Sequence, residues 1–357
     1  MSSLRRTRAA RQLLHRPAGL APDEVVRRLL AVQAQDLPAA RRALRVRTRG
    51  LTAKAVNAAL SEERSIVRGW LWRGTLHLVA AEDYPWMLAL TAPTQAAGGR
   101  RRLGEEGVSE ADADRAMRIV ERALADEGPL TRRELAERVA AKGIRTEGQA
   151  MPHLLRRAVL GGIAVLGPMR GAQQTVALAR DWLGTAPPAS LAGPERDAAL
   201  AELARRYLAG HGPATERDLA YWAGLPLRDA RVGLQVIAGE LAVLNDGLVD
   251  LAAGGESARR TGARLLPVFD GYLLGWKDRS FAVAPDHVPR VYMGGLIGPA
   301  ATVDGRVVGT WRAVRRGDRL ALDLEPFAPL PPRVEAGLRR EREDVARFEG
   351  VDLIDAL

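Results

Sequence analysis

The sequence predicts an α+β fold built from several small domains, because an order of helices and short strands recurs and a β-rich segment follows it. At 357 residues, the chain is long enough to bury two to four separate cores. The most distinct internal repeat is G-P-x-T-x-R-x-L-A, which begins at Gly128 and again 84 residues later at Gly212. We expect both segments to open the second helix of the same structural unit.

Residues 1–110 are predicted to form the first unit. Its helices and strands are expected at residues 4–15, 22–30, 51–60, 65–70 and 74–79. Pro38 disfavours a helical conformation at Leu37, so Gln33 and Gln35 are expected at or just beyond the C-terminal end of the second helix. Three helices followed by a hairpin is the order of a winged helix domain, in which the last helix usually enters a DNA groove and the hairpin flanks it.

Residues 111–188 and 189–258 are predicted to repeat this unit, separated by the proline-rich linker 187–190. Their helices and strands are expected at residues 111–127, 149–160, 163–166 and 174–178, and at residues 195–209, 226–237, 241–244 and 248–251. In both units the repeated segment has the spacing of a capping box, in which a threonine and a carboxylate bond reciprocally to backbone amides. The two predicted pairs are Thr131 with Glu134 and Thr215 with Asp218.

Residues 259–357 are predicted to be β-rich and to end in a charged helix. The strands are expected at residues 264–269, 301–304, 306–312 and 319–324, and the helix at residues 335–349. Four arginines gather about the turn between the last two strands, namely Arg312, Arg315, Arg316 and Arg319. A phosphate partner would relieve their mutual repulsion, and a solvated turn is the alternative interpretation.

The composition indicates a polyanionic partner and excludes cysteine chemistry. The formal net charge is +10 and the pI is about 10.7. Nucleic acid is the first candidate, since clustered cations gain affinity by releasing counterions from phosphates, although an arginine-rich composition by itself also gives a basic pI. The absence of cysteine excludes a disulfide framework, a cysteine-ligated metal and a thiol nucleophile.

We expect no metal, no other cofactor and no membrane partner. The five histidines are scattered without H-x-x-x-H spacing: His15, His77, His153, His211 and His287. No apolar segment follows the basic N-terminus, and no later run approaches the roughly 20 apolar residues of a membrane span. The protein is therefore expected to be cytoplasmic and associated with the nucleoid when bound to DNA.

Three short segments and the repeated units point to one protein family. Residues 31–36 read AVQAQD, residues 71–79 read LWRGTLHLV, and residues 265–279 read LLPVFDGYLLGWKDR. Over nearly its whole length, the chain resembles the AlkZ-like and YcaQ-like winged-helix DNA glycosylases. The resemblance implies three tandem winged helix-turn-helix domains in a C-shaped arrangement, with Gln33 and Gln35 forming the Q-x-Q motif of a concave, DNA-facing cleft.

The resemblance also implies an activity. Members of the family excise N7-alkylated purines, and one branch unhooks interstrand crosslinks in antibiotic self-resistance. Gln33 and Gln35 are therefore the implied catalytic residues, and residues 306–324 match a hairpin that handles the crosslinked duplex. The expected partner is double-stranded DNA with an alkylated or crosslinked guanine, bound by a monomer. Gly271 departs from the family pattern, in which an acidic residue is expected at this position of F-D-x-Y-L-L.

Amide side chains suit this reaction because an N7-alkylguanine is already cationic and leaves as a neutral base. The need for a strong general acid falls away, so positioning and electrostatic stabilisation can supply much of the catalysis. Each glutamine offers one acceptor and two donor hydrogens, and the two-residue spacing lets both leave an extended turn on one side. None of the three lysines is distinctively placed, which favours a monofunctional, water-using enzyme over a Schiff-base mechanism; they are Lys54, Lys142 and Lys277.

Several candidates have structural alternatives. Without the family context, Gln33 and Gln35 would be interpreted as a polar helix end. Asp36 is an accessory candidate, but a turn or salt-bridge role is favoured. Arg73 is a candidate phosphate contact, and a structural role is favoured for His77. The tryptophans expected in the core rather than in stacking platforms are Trp70, Trp72 and Trp276.

The alternative function is a non-catalytic winged-helix DNA-binding protein, either a regulator or a lesion-sequestering factor. It predicts duplex binding with a steep salt dependence and no abasic product. Binding to a specific operator sequence would favour this alternative. Tight binding to alkylated or abasic DNA of any sequence would favour the glycosylase.

Overall fold

The computed structural model describes residues 2–171, 173–188, 190–254 and 260–354. These residues form two compact units. The terminal unit contains the described residues up to Val56 and those from Leu200 onward, and the central unit runs from Asn57 to Ala199. Both units contain helices and strands, so the α+β class is confirmed. Ala189 of the expected linker and the expected boundary at 258/259 lie outside the described residues.

The N-terminal part of the terminal unit is mostly helical. Its elements are α1 (Ser2–Arg11), α2 (Pro22–Leu29), β1 (Val32–Gln33), α3 (Leu37–Arg45) and α4 (Ala53–Ser61), of which α4 continues into the central unit. The expectation that Pro38 keeps Leu37 out of a helix is wrong. Pro38 lies in the first turn of α3, where its missing N–H would have had no partner within the helix.

The central unit combines two hairpins with five helices. Its elements after α4 are β2 (Ile66–Trp70), β3 (Leu76–Ala80), α5 (Tyr84–Glu105), α6 (Glu110–Glu127), β4 (Leu130–Thr131), α7 (Arg132–Ala140), α8 (Ala150–Leu160), β5 (Ala164–Arg170), β6 (Gln173–Leu178) and α9 (Ala179–Leu183). The strands lie in the order β3, β2, β5, β6 and β4, and Arg68 of β2 is opposite Leu166 of β5. The two expected hairpins therefore share one sheet, which explains why they belong to one compact unit.

The core of the central unit lies between the apolar faces of α6, α7 and α8. Val120, Leu135 and Leu154 are fully buried there, and Ala164 and Val176 cover them from the sheet. Apolar residues three and four positions apart form one face of each helix, and burying that face stabilises the short helices more than their intrinsic propensity does.

The C-terminal part of the terminal unit begins at Leu200, within the first of three more helices, and a small hairpin follows them. Its elements are α10 (Gly193–His211), α11 (Glu216–Ala223), α12 (Leu227–Val236), β7 (Leu241–Val243), β8 (Val249–Leu251), β9 (Ala263–Leu266), α13 (Gly271–Leu274), α14 (Val288–Val291), β10 (Tyr292–Met293), β11 (Leu296–Ile297), β12 (Ala300–Val303), β13 (Arg306–Arg316), β14 (Arg319–Pro326), α15 (Pro332–Glu349) and β15 (Asp352–Ile354). Among the described helices of both units, none is both long and apolar enough to cross a membrane.

The long sheet of the terminal unit has the strand order β15, β14, β13, β12 and β9. Neighbouring strands are antiparallel except for β14 and β15, which are parallel. Helix α15 covers one face of this sheet, where Leu338 and Val345 pack with Leu265, Trp311 and Leu322. The Nε1 of Trp311 donates to the carbonyl of Leu266 at 2.7 Å, so this buried polar atom is satisfied.

Both predicted capping boxes are confirmed, one in each unit. At the start of α7, Glu134 N donates to Thr131 Oγ1 at 3.3 Å, and Thr131 N donates to the Glu134 carboxylate at 2.7 Å. At the start of α11, the corresponding distances between Thr215 and Asp218 are 3.1 and 3.0 Å. The repeated sequence therefore produces the same local structure twice, because the bonds that it forms span only three residues.

We predict that acid destabilises the protein well before most carboxylates are protonated. Burial is the main reason that the pKa values of His77 and His211 are lowered from 6.5 to about 3. Between pH 6.5 and 3 these two histidines bind protons in the unfolded chain but stay neutral in the folded chain. The free energy of unfolding therefore falls as pH falls. From pH 7.5 to 5.0, each histidine should contribute a loss of about 2 kcal/mol.

Urea denaturation at the two pH values measures this loss. His77→Gln and His211→Gln should each reduce the difference between pH 7.5 and 5.0, whatever they do to stability at pH 7.5. Equal stability of the wild-type protein at both pH values would show that the two imidazoles are not held neutral.

Candidate active site

The two glutamines lie on the short segment that joins α2 to α3. Leu30 ends α2 with a φ of +67°, which is uncommon for a non-glycine residue and turns the chain sharply. Beyond it, Val32 and Ala34 are buried, whereas Gln33 is half-buried and Gln35 is exposed. Because side chains alternate along an extended segment, this pattern places both amides on the side away from the core.

Asp36 begins α3 as its N-cap residue. Its Oδ1 accepts from the backbone N–H of Ala39 at 2.9 Å, and its backbone is extended with a φ of −105°. A carboxylate at this position satisfies one of the unpaired amides and interacts favourably with the helix dipole. Asp36 therefore has the structural role that the sequence favours. Its side chain is exposed, as is that of Gln35, the residue before it.

The C-terminal end of α2 is held against α10 by a close backbone contact. A Cβ atom at Gly210 would lie 2.7 Å from the carbonyl oxygen of Arg28, so only glycine allows this approach. Arg206 Nη2 donates to the carbonyl of Arg27 at 3.0 Å, and Gln12 Nε2 donates to the carbonyl of Gly210 at 2.8 Å. The chain therefore leaves a fixed helix end when it enters the segment with the two glutamines.

The chain just beyond α3 is fixed by a fully buried ion pair. Arg47 donates through both terminal nitrogens to the two carboxylate oxygens of Asp270, at 2.8 Å each, and both side chains have no exposed surface. Asp270 also accepts from the backbone N–H of Tyr272 at 2.9 Å, and Gln12 Oε1 accepts from Arg47 at 3.1 Å. A bidentate pair with these additional bonds offsets much of the cost of burying two charges.

A second ionic cluster joins the last turn of α3 to α15. Arg45 donates to Glu341 at 3.1 Å, to Asp344 at 2.9 Å and to the carbonyl of Leu265 at 3.2 Å. Arg16 contacts the same two carboxylates. Burial by itself would raise the pKa of Asp344, but Arg45, Arg16 and Arg347 together outweigh this effect, and the pKa lies below its usual value.

Glu349, at the end of α15, links α3 to the long hairpin of β13 and β14. Its carboxylate lies 2.8 Å from Arg42 Nε and 3.4 Å from Arg315 Nη1. The neighbouring Arg41 has its pKa lowered by burial, an effect that the charges of Glu349 and Asp36 oppose. The helix that follows the glutamines and one of the predicted DNA-binding arginines therefore share a single carboxylate.

The hairpin extends further along β13 than the sequence predicts, with its turn at Gly317. Arg312 forms an ion pair with Asp323 at 2.5 Å, whereas Arg316 and Arg319 are directly opposite each other in the register. Within the described part of the chain, neither of these two has an ion-pair partner. Because like charges at paired positions repel, an anion bound between Arg316 and Arg319 would relieve their repulsion.

Gly271 lies against the buried ion pair rather than on the surface. A Cβ atom at this position would be 3.3 Å from Gln12 Oε1 and 3.8 Å from Arg47 Nη2. An acidic side chain there would add a negative charge next to Arg47, which Asp270 already neutralises. The ion pair between Arg47 and Asp270 is therefore complete with Gly271 at the position where F-D-x-Y-L-L predicts an acidic residue.

The residues that the sequence analysis considers do not all belong to one unit. Arg73 and His77 belong to the central unit, whereas Gln33 belongs to the terminal unit. Arg73 is exposed on a tight turn with a φ of +53°. His77 is buried, and its Nδ1–H donates to the carbonyl of Thr75 at 3.0 Å, so the structural role predicted for it is supported. Of the three tryptophans expected in the core, Trp72 and Trp276 are fully buried, whereas Trp70 is half-buried and packs against the core of the central unit.

Four charged residues that hold the segment in place were not singled out from the sequence: Arg42, Arg45, Arg47 and Glu349. The only sequence signal for the three arginines is the dense run of arginines in and after α3, which equally fits an exposed basic helix. Within the part of the chain that the structure describes, no cluster of three or more histidine and carboxylate groups is suited to a metal ion.

This α+β fold, with its basic hairpin and an amide pair on a rigid segment, is that of a protein that acts on nucleic acid. Residues 26–348 match the family described as DNA glycosylase AlkZ-like. The interstrand DNA cross-link repair glycosylase of Streptomyces sahachiroi is 30% identical over 370 residues, which cover 96% of this chain and 95% of that protein. The solved structure of Streptomyces sahachiroi DNA glycosylase AlkZ superposes with a TM-score of 0.79 and 27% identity, over 99% of both chains.

The chain belongs to the AlkZ-like DNA glycosylase family, and it is a DNA glycosylase. The resemblance inferred from the sequence is thereby confirmed. Membership of an enzyme family also favours catalysis over the non-catalytic DNA-binding alternative. Because the family match begins at residue 26, it includes both glutamines and the whole of α3.

We predict that Asp270→Asn destabilises the terminal unit by about 3–5 kcal/mol, because it leaves the buried Arg47 charge without a counter-ion. Chemical denaturation at pH 7.5 measures the change. Asp323→Asn is the matched control, since its partner Arg312 is largely exposed and the loss should be within about 1 kcal/mol. Equal effects of the two substitutions would contradict the role given to the buried pair.

Proposed function

We propose that this glycosylase hydrolyses the N-glycosidic bond of N7-alkylated purines and unhooks N7-guanine interstrand crosslinks, leaving abasic sites. The observation that carries the proposal is the outward-facing pair Gln33 and Gln35 on a segment held firmly at both ends. The name of the Streptomyces sahachiroi relative, an interstrand cross-link repair glycosylase, supports the crosslink part of the proposal.

In this proposal the glutamines act as hydrogen-bonding amides. The C1′–N9 bond of an N7-alkylguanine breaks with the electron pair moving to the cationic base, which leaves as a neutral molecule. Water adds to C1′ and loses a proton to solvent, giving the abasic sugar. One amide carbonyl can accept from that water while amide N–H groups contact the lesion nucleotide, so geometry rather than proton affinity provides the catalysis.

The rigid attachment of the segment is what makes weakly basic amides sufficient. The close contact at Gly210 fixes the chain before the glutamines, and the ion pairs of Arg45 and Arg47 fix the helix after them. A pre-organised donor or acceptor loses little entropy when it engages the transition state. Asp36 supports this arrangement by capping α3, and we assign it an accessory place beside the reacting water.

The basic hairpin is proposed to contact the phosphate backbone of the duplex. Arg312, Arg315, Arg316 and Arg319 are the contacting residues, as the sequence predicts. Phosphate contacts position a duplex without reading its sequence, which suits an enzyme that must find a lesion in any context. Binding is expected as a monomer, with no cofactor and with water as the nucleophile.

We predict that Gln33→Ala and Gln35→Ala each slow the release of N7-methylguanine by about 100- to 1000-fold, because each removes a positioned hydrogen-bonding group. Single-turnover assays that combine detection of the free base with alkali-labile strand breaks measure the rate. Gln235→Ala is the control, since this glutamine is exposed on α12 of the same unit. Undiminished product from the double Gln33→Ala/Gln35→Ala variant would remove both residues from the mechanism.

We predict that Arg316→Gln/Arg319→Gln lowers the rate of crosslink unhooking more than the rate of N7-methylguanine release, by about tenfold or more. A crosslink joins the two strands and obstructs flipping of the damaged base out of the duplex. The crosslinked duplex must therefore be held by its backbone, so its unhooking depends more on the hairpin contacts. The two substrates are compared in the same duplex sequence under single-turnover conditions. Equal losses on both substrates would assign the hairpin to general DNA binding only.

A further inference from the structure

The central unit has a basic groove that the active-site proposal does not use. It lies between the second half of α5 and helix α8, and it has a volume of about 670 Å³. Arg100 and Arg156 contribute to its lining from the two helices, and Gly98 and Gly99 leave its α5 side open, with nothing within 4 Å of an added Cβ.

Arg156 is held in a defined position rather than being a mobile surface side chain. It is half-buried, and its Nη2 donates to Gln95 Oε1 at 3.2 Å. Gln95 Nε2 in turn donates to the carbonyl of Leu71 at 2.6 Å, and a Cβ atom at Gly74 would lie 2.9 Å from Arg156 Nη2. The guanidinium is therefore positioned by neutral groups, namely the Gln95 amide of α5 and the turn that also carries Arg73.

Burial lowers the pKa of Arg156. Within the residues that the structure describes, neither Arg156 nor Arg100 has a carboxylate partner. Other arginines beside the groove do have carboxylate partners: Arg101 and Arg102 share Glu105, and Arg157 pairs with Glu110 at 2.9 Å and Asp114 at 2.7 Å. The groove therefore has two cations that lack an internal counter-ion, on opposite sides of an open channel.

We propose that this groove binds the sugar-phosphate backbone of duplex DNA, with Arg100 and Arg156 each contacting a phosphate and Arg73 flanking them. The inference rests on the proposed function in that the bound duplex is the substrate. The held guanidinium of Arg156 and the exposed guanidinium of Arg100 both match phosphate oxygens, and the two adjacent glycines let a bulky backbone approach α5 closely. The central unit thus has a backbone contact of its own, in addition to the hairpin of the terminal unit.

The test is the salt dependence of binding to an undamaged duplex, measured by fluorescence anisotropy over a range of KCl concentrations. Each lost phosphate contact reduces the slope of log Kd against log [KCl] by about 0.9. Arg100→Gln/Arg156→Gln should therefore lower the slope by about 1 to 2. Arg115→Gln/Arg133→Gln is the matched control, because these exposed arginines of the same unit pair with Asp112 and Glu137 and the net charge changes equally.

An unchanged slope in the groove variant, or an equal decrease in the control, would overturn the proposal. If the double variant fails to fold, Arg100→Gln alone still tests the proposal, because Arg100 is exposed. The slope of log Kd against log [KCl] should then fall by about 1. Failure of the proposed glycosylase mechanism is seen separately, as absence of base release by the wild-type protein. The slope on undamaged DNA is measured independently of that release.

Discussion

The buried ion pair between Arg47 and Asp270 is the constraint on which the arrangement of the terminal unit depends. It connects the chain just beyond α3 to the N-cap residue of α13, two segments 223 residues apart in the sequence. Through Gln12, the same network reaches the backbone of α10. An isolated buried charge would cost several kcal/mol, so the three elements must meet in one geometry for either charge to be tolerated. Because the segment with Gln33 and Gln35 leads into α3, the same geometry determines where this segment lies.

Arginine serves two separate purposes in this protein. The buried arginines Arg45 and Arg47 each bond to several acceptors at once, which a lysine ammonium could not reproduce with the same planar geometry. Within the described residues, Arg316 and Arg319 at the hairpin tip and Arg100 and Arg156 in the central groove have no carboxylate partner. The net charge of +10 therefore includes arginines that hold the fold together and arginines that we propose contact phosphates.

The proposed chemistry and the architecture fit each other. A cationic leaving base reduces the need for a strong acid or base, so the enzyme can rely on amides that never change their protonation state. Such a mechanism demands accurate placement, because a displacement of about 1 Å can reduce a rate 100-fold. The close contact at Gly210 and the ion pairs of α3 provide that placement, and Glu349 extends it to the basic hairpin.

Local features were determined by the sequence alone. The capping boxes at Thr131 and Thr215 and the hairpins of the repeated units depend on bonds between residues a few positions apart, so short patterns predict them well. The Q-x-Q segment and the family were likewise visible in short stretches of sequence. The role of Gln33 and Gln35 in catalysis stays a prediction.

Only the tertiary structure decided which groups meet across long separations. It showed that Pro38 starts a helix, that two hairpins share one sheet and that Arg47 pairs with Asp270. It also divided the arginines into paired and unpaired groups. The physical reason is that an arginine-rich helix has the same pattern whether its charges face water or carboxylates more than 200 residues away. Burial and pairing are decided by packing, which short sequence patterns do not encode.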